Sequence, residues 1–317
     1  MSGVGARSAY LGWLAQALRR PTGAPDLSVQ GDLVLGYATG YDAADIAPFV
    51  RSLRSVFSGP AALVVDPRDD VRALLNEVGV EAVAPLCVDG WSPHPVMKRF
   101  AAFDHLLSRW PGVGGVLITD VRDVVFQAPP FEPSPTRLQV FVEADQPLGR
   151  HAFNMKYLTA LAGADVARQL AGAPCLCVGT VMGPREAMMR FCRLVLTLAA
   201  TPRSEIGGAF GADQAACNLA AHLGLMEMDV VPNYGRVATL GLTPADGLGL
   251  VDGRIVNPDG TRSPIVHQYD RHPALLQAVH ARWGQGYPAR RRERPRTSGD
   301  RLNRLRESLR RRVPELR

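Results

Sequence analysis

Between residues 33 and 118 short apolar runs alternate with amphipathic stretches, and this alternation constrains the fold more than any other feature. Leu33-Val34-Leu35-Gly36-Tyr37 reads as a strand that enters a glycine-bearing turn ending at Tyr41. Asp42 to Phe57 follows as a helix, with Ile46, Phe49, Val50, Leu53 and Val56 on one face. Ala61 to Asp66 is a second strand, Asp69 to Val78 a helix, and Val80 to Leu86 a third strand. Ser92-Pro93-His94-Pro95 opens another helix, from about Val96 to Trp110, which leads into the apolar run Gly115 to Ile118. Strands separated by helices at this spacing need crossover connections, so they pair in parallel. The expectation is an α/β fold, Rossmann-like, with a doubly wound and mostly parallel sheet flanked by helices.

The second half continues less regularly. Leu138 to Val142 is a strand ending near Glu143 and Asp145, and His151 to Gly172 reads as helical. Leu176 to Gly183 is a strand, Ala187 to Ala200 a helix, and a further helix runs from Asp213 through Leu223. Turn signals at Asp252-Gly253 and Pro258-Asp259-Gly260 mark hairpins. Ile265-Val266-His267-Gln268-Tyr269-Asp270-Arg271-His272-Pro273 closes the folded body, and a last helix reaches about Trp283.

Composition removes several classes of function. The chain has 317 residues, 46% of them hydrophobic, without an apolar run long enough to span a bilayer. Five cysteines, Cys87, Cys175, Cys177, Cys192 and Cys217, form no CxxC pair, which fits buried thiols in a reducing compartment. The net charge of +6 is not spread evenly. Residues 289 to 317 carry +8, so the remainder sums to −2. The organisation expected is therefore an amphipathic N-terminal helix and linker over 1–31, a catalytic domain over 32–288 and a basic tail over 289–317. Leu302, Leu305 and Leu309 lie at helical spacing amid arginines, so the tail forms a basic amphipathic helix. Such a helix suits an anionic membrane surface, and equally a solvated or partner-docking tail. No motif supports nucleic-acid binding. The expected location is cytoplasmic, with membrane association at the inner face through the tail.

Candidate chemistry starts where the Gly115–Ile118 strand would leave the sheet. Ligands bind at the carboxyl ends of strands in open α/β sheets. Asp120 and Asp123 stand there and can share a divalent cation. The plain alternative is a turn in which Asp120 caps and pairs with Arg122. The turn after the first strand, through Tyr41, is a candidate nucleotide contact, with Tyr37 and Thr39 foremost; the alternative is a plain β-α turn. Lys98 and Arg99 sit in the first turn of their helix, where cations oppose the helix dipole, so a nearby anion would explain them. Asp213 has a structural reading as a helix N-cap, and His267 one as a buried histidine.

In this order the pieces resemble a nucleotide-sugar glycosyltransferase of the GT-A fold, especially the broad glycosyltransferase family 8-like group, over residues 32 to 283. Thr119-Asp120-Val121-Arg122-Asp123 looks like the metal-binding DxD motif, with one residue more between its acids. Cys177-Val178-Gly179-Thr180-Val181-Met182-Gly183 is similar to the strand that lines the sugar and acceptor site, although Cys177 and Gly179-Thr180 replace Asn-Ser-Gly. Gly211-Ala212-Asp213-Gln214-Ala215-Ala216-Cys217-Asn218 is similar to the Asp-Gln…Asn element. His267 to Pro273 is similar to the late histidine motif, without its usual Gly and Lys.

The resemblance implies transfer of a hexose-type sugar from a nucleotide sugar, a UDP-sugar first, to a glycan, lipid-linked or protein acceptor. It implies a metal held by Asp120, Asp123 and His267. Mn²⁺ suits that mixed oxygen and nitrogen set better than Mg²⁺. Gly179 and Gln214 would touch the donor, Arg99 and His272 would lead Lys98, Arg122 and Arg271 in charging the diphosphate, and Asp213 would bind sugar hydroxyls or assist at the anomeric carbon. Retention is implied; for inversion, Glu143, Asp145 or Asp213 would supply the base. Two other readings remain open: a nucleotidyltransferase, and a non-catalytic nucleotide-sugar-binding protein.

Overall fold

A computed structural model describes residues 25–87, 94–200 and 210–289, together with Ala15. The helices expected in the tail and, apart from Ala15, at the N-terminus lie outside the described residues.

The alternation of the first half becomes β1 (Gln30–Tyr37), α1 (Ala43–Arg54), β2 (Ala61–Val64), α2 (Asp69–Glu77), β3 (Glu81–Val83), α3 (Pro95–Arg109) and β4 (Gly112–Thr119). Next come β5 (Val124–Phe126), β6 (Gln139–Pro147), α4 (Ala152–Ala162), α5 (Ala164–Gln169), β7 (Pro174–Pro184), α6 (Arg185–Ala200) and α7 (Ala212–His222). The chain continues as β8 (Asp229–Val231), β9 (Val237–Thr239), β10 (Gly249–Val251), β11 (Arg254–Val256), β12 (Ile265–His267) and α8 (Pro273–Trp283). The single helix expected over His151–Gly172 is broken at Gly163, whose φ of +90° takes the chain out of the helical region.

Seven strands form the main sheet in the order β3-β2-β1-β4-β7-β6-β8. All its pairings are parallel except those of β7, which runs antiparallel to both β4 and β6. The sheet is thus mostly parallel and flanked by helices, as expected for a Rossmann-like fold. The reading of Gly115–Ile118 as a central parallel strand needs correction on one side only. β4 is parallel to β1 and antiparallel to β7. The chain enters β7 from β6 through α4 and α5, and β7 is the one strand of this sheet that runs against its neighbours.

The pleat sends alternate residues to opposite faces. Leu33, Leu35, Val116 and Ile118 pack with Met97, Phe100 and Phe103 of α3 and with Met188, Phe191 and Val195 of α6. Val34 and Leu117 join the other layer, with Ile46, Phe49 and Val50 of α1 and Leu74 and Leu75 of α2.

A second sheet, β5-β12-β9, is set beside the end of β4. β12 pairs antiparallel with β5, with His267 opposite Val124. This small sheet brings the late histidine segment to the acidic turn.

Candidate functional site

The turn after β4 is held from two directions. The Asp120 N–H donates to the Gly179 carbonyl at 2.6 Å, which extends the β4–β7 pairing past the strand end. The Gln268 N–H donates to the Asp123 carbonyl at 2.7 Å. Arg122 pairs with Asp270 at 3.1 Å, and the Tyr269 hydroxyl donates to the Arg122 carbonyl at 3.3 Å. Arg122 therefore clamps the turn to the late segment. The alternative pairing of Arg122 with Asp120 is not what forms.

This clamping lets an Asp-x-x-Asp spacing direct both carboxylates to one point. Asp120 Oδ2 lies 3.5 Å and Asp123 Oδ1 3.9 Å from His267 Nε2. The donor atoms of all three residues fall within 4.8 Å of one another. Cys177 Sγ sits 3.7 Å from the other imidazole nitrogen, Nδ1, and so fixes the ring. His267 Nε2 is buried and has no hydrogen-bond partner. A buried polar atom without a partner costs about 1–3 kcal/mol. Bonds of about 2.1 Å at right angles place neighbouring donors ~3 Å apart, so a small inward movement of side chains would seat an ion. The residues fit a divalent cation; they do not identify which one.

The electrostatics follow from burial and crowding. Burial opposes charge on His267, but the Cys177 sulfur, Asp120 and Asp123 outweigh it and raise its pKa well above the ordinary value. Burial likewise works to raise Asp120, yet Arg99 and His267 pull it down to about 2. Asp123 goes the other way: burial raises it, and the neighbouring Asp120 and Asp270 carboxylates add to that. Metal binding at His267 requires release of its proton. The expected result is that affinity for a divalent cation, followed by titration calorimetry between acid and neutral pH, rises with pH.

Arg99 is where the structure adds most. Its guanidinium binds Asp120 through Nη1, and through Nη2 it binds Asp213 at 2.9 Å and the Val178 carbonyl at 3.2 Å. The anions that its place in the first turn of α3 called for are the chain's own carboxylates. A role as a free diphosphate cation is corrected to that of a buried bridge. Asp213 is 4% exposed and its carboxyl is pushed up by burial, against the pull of Arg99. It is not the N-cap of α7; that position is held by Gly211, with φ of +93°.

These groups open onto a cavity of about 970 Å³, at the upper end of small-molecule sites. Its lining includes Tyr37, Thr39, Arg99, Asp120, Asp123, Gly179, Asp213, Gln214 and His267. Lys98 and His272 are not among the lining residues. His272 Nε2 contacts the Leu240 carbonyl at 2.8 Å, and Arg271, one residue earlier, lines the cavity instead. The sequence gives no sign of this exchange, because it follows from Gln268 at φ +60° and the short 3-10 turn Tyr269–Arg271. Gly40 and Tyr41 of the turn after β1 also line the cavity, whereas His94, Phe153 and Phe210, which complete the wall, were passed over in the sequence. The His-Pro step at 94–95 is a signal that could have found one of them.

Gly179 shows how tightly the wall is drawn. A Cβ there would lie 2.4 Å from His267 Cε1 and 2.8 Å from Asp120 Oδ2. Gly179→Ala is therefore expected to weaken binding of a divalent cation by about 10–100-fold, the range for disturbed support of a metal ligand. Calorimetry on the folded variant checks this.

Compared with known proteins, the chain matches no family model and no curated protein sequence.

Proposed function

We propose that this chain is a metal-dependent glycosyltransferase of the GT-A fold, moving a hexose-type sugar from a nucleoside diphosphate sugar, a UDP-sugar first, to a glycan, lipid-linked or protein acceptor. One observation carries the reading: Asp120, Asp123 and His267, distant in sequence, converge at the end of β4 on the wall of a large cavity. The strand order, in which an antiparallel β7 follows a parallel half, gives that convergence its position. The basic tail, outside the described residues, would bring the catalytic body to an anionic membrane.

Asp120, Asp123 and His267 would hold Mn²⁺ or Mg²⁺, whose chemistry is Lewis-acid stabilisation of the charge on a departing diphosphate. The remaining work belongs to the chain. Arg99 fixes Asp120 and Asp213 relative to each other, so the metal side and the sugar side of the cavity form one rigid unit. Asp213 and Gln214, adjacent on α7, offer a carboxylate and an amide to sugar hydroxyls. Arg271, with 40% of its side chain exposed, supplies positive charge to phosphate oxygens. Tyr37 and Thr39 present hydroxyls to the nucleoside from the end of β1. Phe153 and Phe210, 46% and 39% exposed and in edge contact with each other, add apolar surface to the cavity wall.

The reading is tested by thermal shift with a panel of nucleoside diphosphates, nucleotide sugars and nucleoside triphosphates, each with Mn²⁺ and with EDTA. The expected result is metal-dependent stabilisation by one diphosphate base and its sugar. A response to triphosphates alone favours a nucleotidyltransferase and overturns the proposal.

A further inference from the structure

Behind the cavity wall, a second set of metal-binding side chains gathers where β6, β7 and the start of α4 meet. Glu143 comes from β6, Cys175 from β7, and His151 immediately precedes α4. Their donor atoms lie within 4.8 Å of one another, and none of the three lines the cavity.

The polar atoms here do not satisfy one another. His151 Nε2 is buried and has no hydrogen-bond partner. Asn154, 4% exposed, also leaves its Oδ1 without one. The other end of the same amide, Nδ2, reaches into the cluster, 2.8 Å from Cys175 Sγ and 3.4 Å from Glu143 Oε2. Buried polar groups are as a rule paired, so an orphaned imidazole nitrogen beside a thiol and a carboxylate needs an explanation.

We propose that Glu143, His151 and Cys175 form a three-ligand site for a borderline-soft divalent transition metal, Zn²⁺ first. Thiolate, imidazole and carboxylate together are zinc chemistry, whereas Mg²⁺ and Mn²⁺ favour oxygen. Tetrahedral bonds of about 2.0–2.3 Å set neighbouring donors ~3.4–3.6 Å apart. Cys175 Sγ stands 3.3 Å from Glu143 Oε2. Binding sends the Cys175 thiol proton to solvent. Gln214 Nε2 donates to Glu143 Oε2 at 2.7 Å, the outer hydrogen bond that orients a ligating carboxylate. Since Gln214 also lines the cavity, the ion would tie α4 and α7 to the sheet on that side. This site does not depend on the transferase reading.

The test uses Co²⁺ as a spectroscopic stand-in, added to the metal-stripped full-length protein. The expected result is a near-ultraviolet thiolate-to-Co²⁺ charge-transfer band that Zn²⁺ displaces. The band is lost in Cys175→Ser and kept in Cys177→Ser and Asp123→Ala. His151→Ala lowers Zn²⁺ affinity at least tenfold. If Cys175→Ser does not fold, His151→Ala decides alone. Absence of the band in the native protein, its survival in Cys175→Ser, or unchanged Zn²⁺ affinity in His151→Ala overturns the proposal.

Discussion

Replacing Arg99 by Met lowers the unfolding free energy by about 3–5 kcal/mol, the usual cost of leaving a buried charge without its partner. Arg99 has 8% of its side chain exposed and Asp213 6%, so solvent cannot replace what is lost. Asp120 is less affected because 39% of its side chain is open to the cavity. The sign of the pH dependence separates this cause from simple loss of packing. In Arg99→Met, Asp213 keeps the upward push of burial and loses the opposing guanidinium. Its folded pKa then stands further above the unfolded one, and the native state holds the extra proton. Stability of the variant therefore rises as pH falls through that raised pKa. Urea denaturation across pH checks it, and Arg99→Met with Asp213→Asn recovers much of the loss. Equal losses in the single and double variants would assign the effect to packing.

At the acidic turn the expected effect is on binding. With Mn²⁺ at about 100 times its dissociation constant, the native protein gains about 2.7 kcal/mol. Asp123→Asn and His267→Gln remove that gain. Asp123→Asn is also expected to leave the metal-free protein as stable as before or more so. Burial first, and then the Asp120 and Asp270 carboxylates, raise the Asp123 pKa by more than His267 and Arg122 lower it, and the neutral amide escapes that net cost. Thermal melts with and without Mn²⁺ read both effects. A metal-free protein strongly destabilised by Asp123→Asn would indicate that the carboxylate is structural.

The first half of the chain was legible because its strands and helices are short, periodic and punctuated. The same periodicity placed Asp120 at a strand end and put Arg99 near an anion. What it could not give was partnership across the sheet. Nothing local in Leu176–Gly183 says that β7 runs antiparallel to β4, since a strand buried on both faces reads alike in either direction. The bridge from Arg99 to Asp213 spans 114 positions and exists only once β4, α3 and α7 are assembled. His267 was visible as a candidate, but its pairing opposite Val124 and the clamp of Arg122 on Asp270 were not. Lys98 and His272 show the converse. Their chemistry was suitable, and a one-residue difference in helix or turn phase gave the cavity to Arg99 and Arg271.

The most direct measurement is release of nucleoside diphosphate from a panel of nucleotide sugars, followed by mass spectrometry, for the native protein and Asp123→Asn. The account predicts Mn²⁺-dependent release from one donor, abolished by EDTA and absent in the variant. Folded native protein that binds no nucleotide sugar and releases no diphosphate from any donor would contradict it.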